Sequence, residues 1–165
     1  MSTQNNLKEA FAGESQANRK YVAFAQKADK EGFTKVSRLF QAIADAETIH
    51  ALKHLQVMQG VGSTLDNLQA AIAGEHYEFT QMYPAFIAEA EKDGNQPAKL
   101  SFHFANEVEK VHHSLYEKAL KSVEQKQDVE AKSYFLCPVC GLIEENEAPG
   151  RCPVCGTPGS MFKEY

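Results

Sequence analysis

The fold is decided by residues 98–123, AKLSFHFANEVEKVHHSLYEKALKSV. Apolar positions advance along this stretch in alternating steps of three and four, the period of a helix that buries one face. The stripe consists of Ala98, Phe102, Ala105, Glu109, His112, Tyr116, Ala119 and Val123. Two of its members, Glu109 and His112, are ionisable. The stretch therefore predicts a helix that turns a carboxylate and an imidazole towards a protein core.

Three upstream stretches repeat this pattern, so we predict four helices of about 25 residues joined by short loops, which is the layout of a helical bundle. Glycines mark the helix ends: Gly32 closes the first and Gly60-Val-Gly62 the second. The third begins after Ser63 or Thr64 and breaks at Asp93-Gly-Asn-Gln-Pro97. Pro84 lies inside the third helix and is expected to interrupt it, because proline lacks an amide hydrogen.

The last part of the chain differs from the helical part in composition. Residues 134–165 hold all four cysteines and four of the six prolines, and a polar, mostly charged stretch precedes them. A segment this short cannot fold on its own apolar core and needs a metal. We therefore expect a mainly α chain with a four-helix bundle at 1–130 and a small metal-binding ribbon at 131–165.

Charged residues occupy stripe positions where an apolar side chain is expected. They are Glu14, Glu47, Glu75 and Glu109, together with His50 and His112. A buried, unpaired carboxylate costs several kcal/mol, and a group of them would also repel one another. The stripes contain no lysine or arginine to pair with them. External cations are the remaining way to neutralise these carboxylates.

The spacing of these residues indicates the class of cation. Glu47-Thr-Ile-His50 and Glu109-Lys-Val-His112 are two Glu-x-x-His units, and residues three apart project from one helix face. Glu14 precedes Glu47 by 33 residues and Glu78 precedes Glu109 by 31. One glutamate from each of two helices and a Glu-x-x-His unit from each of the others is typical of di-iron or di-manganese carboxylate sites.

Glu75 and Glu78 together give the site a fifth carboxylate. A metal pair carries about four positive charges both as an oxo-bridged ferric pair and as an unbridged ferrous pair. One carboxylate is then in excess in one state, and we expect it to be exchangeable for a neutral histidine such as His50. Tyr21 and Tyr83 are candidates to hydrogen-bond the ligand carboxylates. His54, one turn beyond His50, is a packed residue, a neighbour of the ligands or a further ligand.

Four cysteines form a second candidate metal site. Cys137-Pro-Val-Cys140-Gly and Cys152-Pro-Val-Cys155-Gly are matched knuckles with eleven residues between them. Paired Cys-x-x-Cys units predict a tetrahedral tetrathiolate site, which suits either iron or zinc. The first residues lack the basic and apolar regions of a secretory signal, so we expect a cytoplasmic protein. A compartment that reduces disulfides leaves the thiolates free for a metal.

Charge and hydropathy exclude two classes of partner. The net charge of -5 gives no cationic surface for a phosphate backbone, so we expect no nucleic-acid binding. Apolar runs are shorter than the ~18 residues of a membrane span, so we expect no membrane insertion either.

The helical and cysteine motifs together resemble the rubrerythrin family over nearly the whole chain. The motifs that carry the resemblance are Gly13-Glu-Ser15, Glu47-x-x-His50, Gly74-Glu-His-Tyr-Glu78, Met82-Tyr-Pro84, Glu109-x-x-His112 and the two Cys-Pro-x-Cys-Gly knuckles. The resemblance implies that residues 1–130 are a ferritin-like four-helix bundle with two non-haem irons. It also implies that residues 131–165 are a rubredoxin-like ribbon with an Fe(Cys)4 centre, with zinc a possible substitute there in a recombinant preparation. It further implies reduction of hydrogen peroxide to water in oxidative-stress defence. Electrons would come from rubredoxin or a similar donor and its NAD(P)H-dependent reductase.

The resemblance also implies which residues hold each metal. By motif position, one iron is held by Glu14, Glu47, Glu78 and Glu109, and the other by Glu47, Glu75, Glu109 and His112. His50 is expected to replace Glu78 upon reduction. Tyr21 and Tyr83 match tyrosines that lie beside the ligands in the family, and Cys137, Cys140, Cys152 and Cys155 are the four ligands of the rubredoxin-like centre.

The short connection at residues 60–64 points to a dimer. It reaches about 21 Å at most. Parallel second and third helices need roughly 29 Å along the bundle axis and a sideways step of about 10 Å. We therefore expect the first two helices of one chain to pack with the last two of another, so that two chains share each di-iron site. Two other functions stay open: ferritin-like iron oxidation and storage, and a zinc-stabilised interaction protein.

Overall fold

The computed structural model describes residues 2–165. The chain divides into two compact units, of which the first ends at Gly62 and the second is Ser63–Tyr165. Helices α1 (Thr3–Lys30) and α2 (Thr34–Val57) belong to the first unit. The second contains α3 (Thr64–Tyr77), α4 (Tyr83–Lys92), α5 (Gln96–Glu124) and the cysteine segment. Among residues 2–165, no helix is long and apolar enough to cross a membrane.

The first unit is a helical hairpin, called the hairpin below. Gly32, with a φ of 84°, adopts the left-handed conformation in the turn between α1 and α2, as its predicted role at a helix end requires. Alanines let the two helices approach closely: Ala25 and Ala44 are each 1% exposed. The buried Asn18 amide donates hydrogen bonds to the Ala44 carbonyl at 2.6 Å and to the Thr48 hydroxyl at 2.7 Å. Small residues and the two hydrogen bonds of Asn18 thus hold the hairpin together.

Ser63 caps the N-terminus of α3, the first helix of the second unit. Its hydroxyl accepts from the Asp66 amide at 3.2 Å while the Asp66 carboxylate accepts from the Ser63 amide at 3.0 Å, which is a reciprocal capping box. The interruption predicted at Pro84 takes the form of a π-helical turn, Glu78–Met82, between α3 and α4. The Tyr83 amide donates to the Glu78 carbonyl five residues back. The wider turn ends two residues before Pro84, whose ring would otherwise clash with the preceding turn of an α-helix.

The cysteine segment forms a three-stranded antiparallel sheet in the order β2-β1-β3, with β1 at Tyr134–Leu136, β2 at Ile143–Glu145 and β3 at Lys163–Glu164. Its small core contains Leu142, Cys137 and Cys152, each at most 3% exposed. Val108 of α5 is 1% exposed and belongs to the same core. The cysteine segment therefore packs against α5 and shares its core with this helix.

The predicted stripes are only partly buried. Val36 and Ile43 in the hairpin are 44% and 38% exposed, and Phe86 and Tyr116 in the second unit are 44% and 38% exposed. A helix pair covers one side of each helix and leaves the rest of a wide apolar stripe open to solvent. Each unit therefore presents an apolar face of the kind that a complete bundle buries.

Candidate metal centres

The hairpin carries one group of potential metal ligands. Glu14 of α1 and Glu47 and His50 of α2 place one donor atom each within 4.8 Å of one another. His50 Nδ1 lies 2.9 Å from a Glu47 carboxylate oxygen and 4.0 Å from one of Glu14. The His50 side chain is 56% exposed, so this group lies at the surface of the hairpin.

The second unit carries a matching group. Glu75 of α3 and Glu109 and His112 of α5 also bring their donor atoms within 4.8 Å. His112 Nδ1 lies 2.7 Å from a Glu109 oxygen, and the His112 side chain is 25% exposed. Its other ring nitrogen, Nε2, donates to the Gly141 carbonyl at 3.1 Å. That bond fixes the ring orientation and leaves Nδ1 facing the carboxylates.

Hydrogen bonding and burial set the protonation of this second group. Burial first, then a hydrogen bond and charge repulsion from Glu109, raise the pKa of Glu75 to about 7. Burial also works to raise the pKa of Glu109, but hydrogen bonds with His112 and Glu75 lower it overall. The hydrogen bond to Glu109 raises the pKa of His112. Carboxyl groups and an imidazole that bind protons at these positions can release them when a metal cation binds.

Glu78 and Tyr83 lie beside this group, at the start of the π-helical turn and immediately after its end. Burial raises the pKa of the Glu78 carboxyl, and the negative charge of Glu109 raises it further. Burial, followed by the charge of Glu78, also raises the pKa of the Tyr83 hydroxyl. Both residues are therefore within electrostatic reach of the carboxylates, although Glu78 is not a member of the tight group.

Tyr21 and His54 take other positions in the hairpin. The Tyr21 ring packs with Phe24 and Phe40 at centroid distances of 6.1 and 6.3 Å. The Tyr83 ring packs in the same way with Phe86 and Phe102, at centroid distances of 6.4 and 6.3 Å. Each of the two units therefore has an equivalent aromatic cluster. His54 is half-buried on α2 and lies outside the metal-ligand groups found in residues 2–165. Its role stays a prediction, as does that of Tyr21.

The four cysteines converge as predicted. Cys137, Cys140, Cys152 and Cys155 bring their sulfurs within 4.8 Å of one another, with Cys137 to Cys155 and Cys140 to Cys152 both at 3.5 Å. Gly141 and Gly156 have φ values of 89° and 76°, and their amides donate to the carbonyls of Cys137 and Cys152. Only glycine adopts this turn without strain.

The sulfurs are not equivalent. Burial raises the pKa of Cys140 and of Cys152. Burial acts on Cys155 in the same direction, but hydrogen bonds from the Thr157 hydroxyl and the Thr157 amide outweigh it and lower the pKa of Cys155 to about 6. The hydrogen bonds to Cys155 therefore favour its thiolate form, whereas burial disfavours the thiolates of Cys140 and Cys152.

Three groups that contact the candidate metal ligands or their surroundings were not predicted from the sequence. They are the Gly141 carbonyl, the Val108 side chain and the Thr157 hydroxyl. Gly141 lies 29 residues from the imidazole that it holds, so no local spacing reveals the contact. Val108 was missed because it lies next to the stripe residue Glu109 and faces the cysteine core. Thr157 offered one signal, because it stands two residues after Cys155, where the first knuckle has Leu142.

The donor sets fit the predicted metals. Each of the two helical groups offers two carboxylates and one imidazole, which suit iron or manganese. Four convergent thiols suit iron or zinc. The glycine turns and the directed hydrogen bonds would hold these ligands in place for the metal. In both centres the chemistry of the ligands is therefore compatible with the metals named above.

Comparison with known proteins agrees with this arrangement. The rubrerythrin family model matches residues 5–120, and that of the rubrerythrin rubredoxin-like domain matches residues 135–163. Rubrerythrin-2 of Clostridium acetobutylicum is 33% identical over 99% of this chain and 96% of its own. Nigerythrin of Nitratidesulfovibrio vulgaris is 37% identical over 99% of this chain and 87% of its own. A solved structure of fully reduced, all-ferrous nigerythrin matches with a TM-score of 0.60 at 35% identity, over 100% of this chain and 87% of that one. The predicted fold class and cofactors are confirmed.

Proposed function

The chain belongs to the rubrerythrin family, and from that premise we propose that it is a non-haem di-iron peroxidase that reduces hydrogen peroxide to water in oxidative-stress defence. Its family membership makes it a di-iron protein with a rubredoxin-like centre. When bound, the irons would supply the two electrons that convert hydrogen peroxide, with two protons, into two water molecules. The protein's own residues hold the metals, link the two centres and shape their surroundings.

We assign the di-iron ligands to seven residues. They are Glu14, Glu47, His50, Glu75, Glu78, Glu109 and His112, with Tyr21 and Tyr83 beside them. Support comes from the two tight groups of three and from the electrostatic reach of Glu78 and Tyr83. The four cysteines would hold a third iron. Residues 1–130 would form the di-iron domain and residues 131–165 the electron-relay domain.

The observation that carries the proposal is the position of the His112 ring. Nδ1 lies 2.7 Å from Glu109, and Nε2 donates to the carbonyl of Gly141, the residue after Cys140. The His112 ring therefore contacts Glu109 directly and is joined to Cys140 by one hydrogen bond to Gly141 and the peptide bond between these two residues. Val108, one residue before Glu109, is buried in the cysteine core. This packing keeps α5 and the knuckles in contact. This direct link is what an electron relay between the two centres requires.

The proposal extends to the source of the electrons and to the compartment. By family membership, rubredoxin or a similar protein with an NAD(P)H-dependent reductase would reduce the rubredoxin-like centre. The four cysteines are free thiols, which fits a reducing cytoplasm.

A rapid-mixing experiment tests the activity. Anaerobically reduced, iron-loaded protein is mixed with hydrogen peroxide in one syringe drive and with dioxygen in another, and the absorption of both centres is followed. We expect peroxide to re-oxidise both centres much faster than dioxygen does. Faster oxidation by dioxygen would contradict a peroxidase and would favour iron oxidation and storage.

The connection between the two units further supports a shared site, and we propose a homodimer in which helix pairs are exchanged. α2 runs seven residues beyond His50, and α3 begins eleven residues before Glu75. Bringing His50 and Glu75 of one chain to the same level would require the connection to span about 27 Å along the bundle. Gly60 is still bonded to the Leu55 carbonyl of α2, and the four steps from Gly60 to Thr64 cover at most about 14 Å.

The exposed apolar faces support the same proposal. Val36 and Ile43 in the hairpin and Phe86 in the second unit are each more than a third exposed and lie on the stripes that carry the ligands. A second copy would offer the complementary pair of helices to each face. The dimer would then contain two di-iron sites, each built from the hairpin of one chain and the second unit of the other.

A further inference from the structure

The two cysteine knuckles have the same backbone arrangement. In each knuckle the backbone amide of the first cysteine donates a hydrogen bond to the carbonyl of the residue two positions after the second cysteine. Cys137 donates to the Leu142 carbonyl and Cys152 to the Thr157 carbonyl, both at 2.8 Å. The amides of Leu142 and Thr157 in turn donate to the sulfurs of Cys140 and Cys155. Leu142 and Thr157 are therefore equivalent positions.

Their side chains differ in what they offer the neighbouring sulfur. Leu142 is 1% exposed and packs into the core with Val108. Thr157 is 7% exposed, and its Oγ1 lies 3.1 Å from Cys155 Sγ. Within residues 2–165 this sulfur is the hydroxyl's sole hydrogen-bond partner. A metal-bound thiolate has no proton, so the Thr157 hydroxyl must be the donor.

A hydrogen bond of this kind acts differently on the two redox states. Four thiolates around iron(III) carry a net charge of -1, and uptake of one electron to give iron(II) makes it -2, with no bond broken and no proton bound. A donor to sulfur stabilises the more negative state more strongly, and hydrogen bonds to sulfur are among the features that set iron-thiolate potentials.

We propose that Thr157 raises the reduction potential of the rubredoxin-like centre by donating its hydroxyl hydrogen bond to Cys155 Sγ. Thr157 acts through Cys155 and is therefore a positioning residue of the electron relay. The inference rests on the proposed function insofar as iron occupies the four-cysteine site. Its consequence is that the second knuckle, which has the extra donor, makes the centre a better acceptor for electrons from an external donor.

The test is a redox titration of full-length, iron-loaded protein, followed by the visible absorption of iron(III) thiolate. Thr157→Val replaces the hydroxyl by a methyl group of similar size, and Thr157→Ser keeps a hydroxyl. Val139→Thr makes the reverse exchange at a 59% exposed position of the first knuckle and is the matched control. We expect Thr157→Val to lower the ratio of reduced to oxidised centre at a fixed potential about three- to tenfold, a midpoint shift of about 28–59 mV for one electron.

Thr157→Ser is expected to recover most of the original midpoint, and Val139→Thr to leave it unchanged. An unchanged midpoint in Thr157→Val would overturn the inference, as would equal shifts in the valine and serine variants, because packing and not the hydroxyl would then be the cause. A protein that takes up no iron at the four cysteines would overturn the proposed relay itself. Because these results differ, failure of the inference is distinguishable from failure of the proposed function.

Discussion

The two Glu-x-x-His units are one four-residue motif in two settings. The local geometry is nearly the same, since His50 lies 2.9 Å from Glu47 and His112 lies 2.7 Å from Glu109. The settings differ because the His50 side chain is 56% exposed, whereas that of His112 is 25% exposed and is tied through Nε2 to Gly141. The motif fixes how a carboxylate and an imidazole face each other, and the surrounding chain decides what that pair is connected to.

The largest expected effect comes from removing one carboxylate from either setting. Glu109→Gln and Glu47→Gln each remove the charge of a proposed metal ligand, so each should lower the proposed peroxidase activity roughly 100-fold or more and reduce the iron content of the helical site. Steady-state kinetics and metal analysis measure the two effects. Equal losses would show that the exposed and the half-buried unit are equally necessary.

Glu107→Gln is the control for that comparison. Glu107 lies two residues from Glu109 but pairs with Lys110 at 2.6 Å. An exposed pair of this kind contributes little, so we expect activity within a factor of about two of the original. A loss as large as that of Glu109→Gln would mean that any change of charge on this helix is damaging, and the ligand assignment would lose its support.

The next effect separates the relay from the chemistry at the di-iron site. Cys140→Ser removes one ligand of the rubredoxin-like centre, and we expect turnover driven by an external protein donor to fall about tenfold or more. A single oxidation of chemically reduced protein by peroxide should keep its rate, because the helical ligands are unchanged. Loss of both rates would contradict the division of labour between the two centres.

A smaller effect tests the packing that only the second setting has. Val108→Ala opens a cavity between α5 and the cysteine core, where Val108 is 1% exposed, and should cost about 1–3 kcal/mol of stability. Chemical unfolding followed by iron-thiolate absorption measures it. Val139→Ala, at a 59% exposed position of the first knuckle, should leave the free energy of unfolding almost unchanged. Equal costs would mean that the cysteine segment does not depend on α5.

The smallest effect concerns the start of the second unit. Ser63→Ala removes the capping box that begins α3 and should cost about 1 kcal/mol. Circular dichroism during thermal unfolding measures the change. The neighbouring variant Thr64→Ala should be close to neutral, and a larger loss there than at Ser63 would show that the capping box is not what starts the helix.

Most of the fold was predictable because it depends on local patterns. The glycine at position 32, the start after Ser63 and the break before Pro97 are near-neighbour effects, and the structure places helix ends there. The two metal-ligand groups were predictable for the same reason, since residues three apart on a helix face one point. The matched knuckles predicted the convergence of the four cysteines.

Contacts between distant residues and details of backbone hydrogen bonding were not predictable. The π-helical turn at Glu78–Met82 depends on a competition between helical patterns that composition does not reveal, although Pro84 marked the position. The His112 to Gly141 bond joins residues 29 apart. The contact of Thr157 with Cys155 needs the three-dimensional course of the knuckle. The last two contacts are the ones on which the proposed relay and the proposed tuning of its potential rest.

Complementation between two inactive chains tests the central claim most directly, namely that one di-iron site combines the hairpin of one chain with the second unit of another. Glu47→Gln and Glu109→Gln chains are co-expressed under two different affinity tags, and the doubly tagged dimer is purified. Exchange of helix pairs leaves one intact site of the two in that dimer, so we predict about half of the original activity and iron content. A doubly tagged dimer as inactive as either variant alone would contradict the shared site.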